Sequence, residues 1–479
     1  MKIALINLEQ DYGCLPMGLT NIAAYLQKYG GPVDIRIIDR SDPLIEIKDF
    51  KPDVIGISAV SEQYYKANEL AEKMKRITNV PLILGGTHIT AIPSQLLNST
   101  FKIGVIGEGE RTFLEFINMY KKEKSISDEN LEKIRGLVFM DKEGKLKITG
   151  RRELIKDLDE IPFPALDLLD MKNQYLIPGP SGASLIGIRG YLMTSRGCPY
   201  NCVYCGSNTT WGVRGVRWHS AERVVSDIER WVKKYRANHF VVYDDLMIVN
   251  RGRLKKIISL LKEKNLLKKI DFELYGRANI LDDEMCRLLK NLNVTSIAFG
   301  LESGSEKILK YLKKGNVKVE QGKKAVALCK KYGLKVAGLF IMGSPGETEK
   351  DLQKTLDFVK DPNLSTVQVY QATPLPGTEL WARAIKDNII EKDFYEFPNR
   401  GQVLELNDNA ILTKKVSKEN FIKWHKIFKD EMEKKNYVQD RLKFKIGMLR
   451  FFFSYRFYQK LWRRKKYIPR YVKQVLRIQ

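Results

Sequence analysis

The chain runs to 479 residues, 44% of them hydrophobic, and carries a formal net charge of +25. That length suffices for two or three separately cored domains, and that hydrophobic share excludes a disordered chain. No run approaches the ~18 apolar residues of a membrane-spanning helix, and Glu9 and Asp11 interrupt the apolar start too soon for a secretory signal, so a cytoplasmic protein is expected.

Residues 1–150 alternate short apolar runs with amphipathic stretches. Lys2–Leu8, Val33–Asp39, Val54–Ser58, Pro81–Leu84 and Gly104–Ile106 read as buried strands, with helical patterns such as Leu19–Tyr29 and Tyr65–Ile77 between them. The alternation predicts an α/β, doubly wound Rossmann-like domain, which binds ligands beyond the carboxyl ends of its strands. Gly56, Gly85, Gly86, Gly107 and Gly109 fall at or near those ends. Glycine permits close backbone approach to a ligand and equally serves ordinary turns, so spacing alone leaves both roles open.

A polar connector, Asp141–Asp159 with Pro162 and Pro164, leads to a second series over residues 185–385. Its expected strands are Gly190–Thr194, His239–Tyr243, Asp271–Tyr275, Thr295–Phe299, Lys335–Ile341 and Thr366–Gln371. Between the first two, Val224, Val225, Ile228, Trp231, Val232 and Tyr235 form one helical face behind Ser220 as N-cap. Six such units fit a partial (βα)6 TIM-type barrel, with reactive groups at the strand carboxyl ends.

Just behind the first of these strands, Cys198-Pro199-Tyr200-Asn201-Cys202-Val203-Tyr204-Cys205 spaces three thiols as C-x3-C-x2-C. Such a loop can hold three irons of a four-iron cluster and leave the fourth an open position for chemistry. A three-cysteine zinc site and buried structural thiols are the alternatives. Cys286 and Cys329 lie on helical patterns and read as core thiols. Cysteines distributed this way are no disulfide framework, which fits a reducing compartment.

The run Ser195-Arg196-Gly197-Cys198-Pro199-Tyr200-Asn201-Cys202 resembles the cluster loop of radical S-adenosylmethionine (SAM) enzymes. Leu15–Leu19, Gly85-Gly86-Thr87-His88 with Pro93, and Gly107-Glu108-Gly109-Glu110 resemble the amino-terminal domain of the cobalamin (B12)-dependent branch, so the likeness covers roughly residues 1–385. It implies a [4Fe-4S] cluster on Cys198, Cys202 and Cys205 with SAM at the open iron, and cobalamin on the first domain. By the same correspondence, Ser58, Gly85 and Gly86 line the groove for the nucleotide tail of cobalamin. Asp244 and Asp245 stand near the SAM amino group, Arg277 near its carboxylate, Glu302 and Ser303 near the ribose, and Tyr204 and Gly343 beside adenine. From the residues alone, the two aspartates equally suit a helix cap and Arg277 a solvated surface. The chain departs from the D-x-H-x-x-G loop of many cobalamin domains: Asp11-Tyr12-Gly13-Cys14-Leu15-Pro16 has no histidine. Cobalt without that ligand is implied; His88 and Cys14 are the other conceivable ligands, against the roles of a turn histidine and a packed thiol.

The implied activity is methylation of an unactivated carbon, with one SAM methylating cobalt and another yielding a 5′-deoxyadenosyl radical on the cluster. An external donor of flavodoxin or ferredoxin type supplies the electrons. Ring formation or rearrangement without methyl transfer is the close alternative; an iron–sulfur nucleic-acid-binding protein or sensor is the alternative of another class. Residues 386–479 form a helical, basic and aromatic region, with thirteen Lys or Arg and no Asp or Glu from Arg441 to Gln479. Phe444, Phe451, Phe452, Phe453, Tyr455, Phe457 and Tyr458 interleave with cations there. The expectation is peripheral contact with an anionic membrane and a lipid or other small-molecule substrate. RNA, or a helical layer packed on the barrel with solvated cations, remain the alternatives.

Overall fold

The computed structural model describes residues 1–8, 15–176, 188–391 and 406–452, with side chains described as far as residue 436. The amino-terminal sheet contains β1 (Lys2–Asn7), β2 (Asp34–Ile38), β3 (Val54–Ser58), β4 (Leu82–Gly85), β5 (Ile103–Val105), β6 (Leu137–Met140) and β7 (Leu146–Ile148). Its order is β2-β1-β3-β4-β5-β6-β7, and β1 to β5 run parallel. Both faces are covered, which is why these strands are nearly continuous apolar runs. Ile3 and Leu5 pack with Leu19, Ala23 and Phe113 on one side, while Ala4 and Ile6 pack with Tyr64, Ala67 and Ala71 on the other. The chain winds outward in both directions from β1 and β3, so the crevice at their carboxyl ends is the expected ligand position.

Sequence patterning missed the hairpin β6–β7, whose second strand lies in the stretch read as a connector. Leu146–Ile148 is short and largely exposed, so it carries no apolar alternation. Its turn is set by Asp141, whose Oδ1 accepts from the Glu143 and Lys145 amides at 3.0 and 2.7 Å, and by Gly144 at φ +76°.

The second sheet holds β8 (Ile188–Leu192), β9 (Ala237–Val242), β10 (Asp271–Gly276), β11 (Val294–Glu302), β12 (Lys335–Met342) and β13 (Thr366–Gln371), all parallel and adjacent in chain order. Among the described residues β13 does not pair with β8, so the sheet is a half-barrel. The helix Ala221–Tyr235 starts where expected, with Ser220 Oγ accepting from the Arg223 amide at 3.0 Å.

The helix Lys418–Phe452 covers the β13 edge. Asn436 acts as a substitute strand: its Oδ1 accepts from the Val367 amide at 3.0 Å and its Nδ2 donates to the Val367 carbonyl at 2.9 Å. Phe421 and Phe428 are fully buried. The first turns of this helix are therefore packed on the barrel. The side chains of the expected basic-aromatic run, which begins at Lys443, lie outside the described residues, as does the whole chain from residue 453. No helix among the described residues is long and apolar enough to cross a membrane.

Candidate active site

After β8 the chain forms a two-residue ribbon, Ser195–Arg196 against Arg217–Trp218, which closes the cysteine loop at its base. Gly197 sits at φ +97°, and a Cβ there would strike the Gly215 carbonyl, so the entry to the loop demands glycine. Cys198, Cys202 and Cys205 are partly exposed free thiols within it. Burial pushes Cys198 up and Cys205 to about 11, and the neighbouring thiols add to both. Thiols that hinder one another's ionisation face a common space, where bound metal would stabilise the thiolates. Among the described residues no three His, Cys, Asp or Glu groups are close enough to hold a single ion.

The loop is tied to the barrel at several points. The Val203 amide donates to the Leu312 carbonyl at 3.0 Å, and Tyr204 OH donates to Glu302 Oε1 at 2.6 Å. Glu302, at the end of β11, adopts φ +59°, a strained conformation for this residue type. Its Oε1 also accepts from buried Lys313 at 2.8 Å, a partner that sequence reading missed because it lies on the following helix.

The remaining strand ends divide into braces and open groups. Asp244 is buried and accepts from the Thr194 amide (2.5 Å), Thr194 Oγ1 (2.5 Å) and Ser195 Oγ (2.6 Å), so it anchors the start of the cysteine loop. Ser303 is buried against Thr355 Oγ1 at 3.0 Å and accepts from the Ser305 amide, which makes it part of a turn. Asp245 is exposed and accepts from Ser207 Oγ at 3.0 Å and Trp211 Nε1 at 2.9 Å. Arg277 is buried, not solvated. Its Nη1 donates to Cys202 Sγ at 3.3 Å, its Cζ lies 3.7 Å from the Tyr200 ring centroid, and its Nη2 has no partner among the described residues. A buried guanidinium N–H left open is costly unless a ligand accepts from it, and a carboxylate is the matching acceptor. Gly343 has φ +85°, with the Phe421 ring 2.8 Å from where a Cβ would stand. Its amide and that of Ser344 donate to Glu347 at 2.5 and 3.0 Å, and burial holds the Glu347 carboxyl up at about 8.

A cleft with a cavity volume of about 180 Å³ runs between the two sheets. Ser58, Gly85 and Gly86 line one side, and Met193, Arg196 and Trp211, all next to the cysteine loop, line the other. Gly86 has φ +101°, and a Cβ would run into the backbone of Ala59. This is a cradle built from main chain, suited to close contact with a large ligand. His88 lies in the core beside it, stacked on Tyr64 at 4.3 Å with Nδ1 3.1 Å from Ser61 Oγ, and burial lowers it to about 4. It does not line the cavity. Cys14 lies outside the described residues.

The comparisons with known proteins agree with this layout. The B12 binding domain model matches residues 1–117, and the radical SAM superfamily model matches residues 192–359. An uncharacterized methyltransferase of Pyrococcus horikoshii is 34% identical over 385 residues, covering 78% of this chain and 79% of its own. This chain belongs to the cobalamin-dependent radical SAM family. An anaerobic magnesium-protoporphyrin IX monomethyl ester cyclase of Rubrivivax gelatinosus is 27% identical over 397 residues, 80% of this chain and 68% of its own. The family fold also extends to the radical SAM methyltransferase TsrM of Kitasatospora setae, solved with cobalamin and a [4Fe-4S] cluster bound. It superposes with a TM-score of 0.66 at 17% identity, covering 81% of this chain and 75% of that one.

Proposed function

We propose that this radical SAM enzyme is a C-methyltransferase acting on an unactivated carbon. The observation that carries the reading is a cavity lined both by the glycine-rich strand ends and by residues flanking the cysteine loop, because methyl carrier and radical source must serve one substrate carbon. When bound, the cluster, SAM and cobalamin supply the C–H activation and the methyl carrier. The chain divides the work among residues 1–150 for cobalamin and 185–385 for cluster and SAM, with 386–479 a helical, basic and aromatic region. Cys198, Cys202 and Cys205 hold the cluster. Arg277 offers its open Nη2 to the SAM carboxylate, and Asp245 lies on the amino-group side. Tyr204, Glu302 and Gly343 shape the adenosine side, with Asp244 and Ser303 bracing the loops behind them. Ser58, Gly85 and Gly86 let backbone approach the cobalamin tail.

The substrate we infer is a membrane lipid, met at the cytoplasmic face through the thirteen uncompensated cations between Arg441 and Gln479. Electrons come from a flavodoxin- or ferredoxin-type donor. The experiment compares lipids from cells with and without the gene after feeding methyl-labelled methionine. A labelled lipid present only with the gene supports the proposal. An altered but unlabelled product supports the ring-forming alternative, which the cyclase relative favours. An unchanged lipid profile overturns the lipid substrate, and salt-sensitive RNA binding without SAM cleavage overturns the enzyme reading.

A further inference from the structure

We propose that Arg196 is a positioning residue that sets the register between the cobalamin cradle and the cluster loop, with Trp211 carrying that register into the barrel. The inference rests on the functional reading above, since register matters only if two cofactors act on one carbon. Arg196 stands two residues before Cys198, in the ribbon that closes the loop. Its fork spans the two domains: Nη1 donates to Glu108 Oε1 at 2.8 Å and Nη2 to Glu110 Oε1 at 2.6 Å. Both carboxylates belong to the turn after β5, at the start of the helix Gly109–Glu123, and both line the cavity. Arg217, from the other ribbon strand, donates to both oxygens of Glu108 at 2.8 and 3.0 Å and to the Ile155 carbonyl at 2.6 Å. The four side chains are only 5 to 16% exposed and balance two positive against two negative charges.

Such a quartet is a poor device for stability alone. Desolvating four charges offsets most of their attraction, and apolar packing of equal volume holds two surfaces together at least as well. What charge pairing adds is direction: a forked guanidinium between two carboxylates accepts one relative placement, where an apolar contact tolerates sliding. The placement then passes onward. The guanidinium groups of Arg196 and Arg217 lie 5.6 and 6.0 Å from the Trp211 ring, whose indole N–H donates to Asp245 Oδ2 at 2.9 Å. Asp245 follows β9 and also accepts at 3.0 Å from the Oγ of Ser207, two residues after Cys205. Glu108 and Glu110, Arg196, Trp211 and Asp245 thus form one continuous line from the cradle to the cluster loop. A displacement near 1 Å costs on the order of 10²-fold in a step that depends on alignment. Arg196 therefore governs how often radical formation ends in product.

The test uses the full chain, anaerobically reconstituted with iron, sulfide and cobalamin. It reads the magnetic interaction between cob(II)alamin and the reduced cluster, and the ratio of 5′-deoxyadenosine to product. Arg196→Met is expected to keep its iron content, to weaken the spin interaction, and to raise that ratio about tenfold or more; Arg196→Lys should recover part of both. An unchanged interaction and ratio in Arg196→Met overturns the proposal, and so does a lower melting temperature with both readouts unchanged. Should Arg196→Met fail to fold, Trp211→Phe, which keeps an aromatic ring and removes the N–H donated to Asp245, is expected to move both readouts in the same direction by less; no movement there overturns it. A wild-type chain that binds both cofactors and makes no 5′-deoxyadenosine overturns the functional reading instead, and the spin interaction by itself then decides this one.

Discussion

At the carboxyl ends of β3 and β4 the cavity wall is main chain and small side chains, Ser58, Gly85 and Gly86, whereas the ends of β9 to β11 lead into Asp245, Arg277 and Glu302. The first region shapes its surface with glycine, and its one nearby histidine is stacked away in the core. The second works with charge, and its buried charges have anchors: Glu302 is held by Lys313 and Tyr204, while Arg277 keeps one nitrogen free. The difference follows from the ligands each region would take. A large cofactor needs close approach over a wide area, while a zwitterionic amino acid group needs a few fixed charges.

The sharpest way to break this contrast is to remove a thiolate. Cys202→Ser should abolish cluster assembly and SAM cleavage, read as iron and sulfide content and 5′-deoxyadenosine yield, while cobalamin titration stays as in the wild type. A loss of cobalamin affinity in that variant would show that the two regions do not work separately.

Next comes Lys313→Met, which strands the Glu302 carboxylate in the interior and should lower unfolding free energy by roughly 3–5 kcal/mol in denaturant titrations. A small effect would mean that Glu302 has other support and that the barrel side depends less on paired charge. Gly86→Ala tests the other region. Its φ of +101° and the crowding by Ala59 predict a loss of roughly 1–3 kcal/mol and weaker cobalamin binding, with cluster content intact.

The smallest effect is a pH dependence. The Glu347 carboxyl, raised from 4.5 to about 8 in the folded chain, binds its proton more tightly there than when unfolded. Its contribution is complete below about pH 4.5 and is lost as pH rises toward 8. Glu347→Gln should therefore flatten the fall of the unfolding midpoint across that window. An unchanged slope would show that Glu347 is not the group responsible.

Local regularity made much of this protein legible in its residues. The six barrel strands follow from apolar or alternating stretches of strand length, and Ser220 announced its helix because capping needs only neighbouring atoms. The thiol spacing Cys198–Cys202–Cys205 is local in the same sense. Spacing could not reveal which polar groups would be spent as braces. Asp244 and Asp245 are adjacent in the chain, yet one is buried under Thr194 and the other is exposed, because the chain turns between them. The hairpin β6–β7 was hidden by a strand too short and too exposed to show a pattern.

The sequence by itself determined the strand-and-helix order and the cysteine loop, since each depends on contacts within a few residues. Tertiary structure alone decided that Arg196 meets Glu108 across 88 residues, that Lys313 neutralises Glu302, and that Phe421 closes over Gly343. Those pairings arise only when two sheets and a distant helix pack together, and a buried charge or ring takes whichever partner the packing brings within reach.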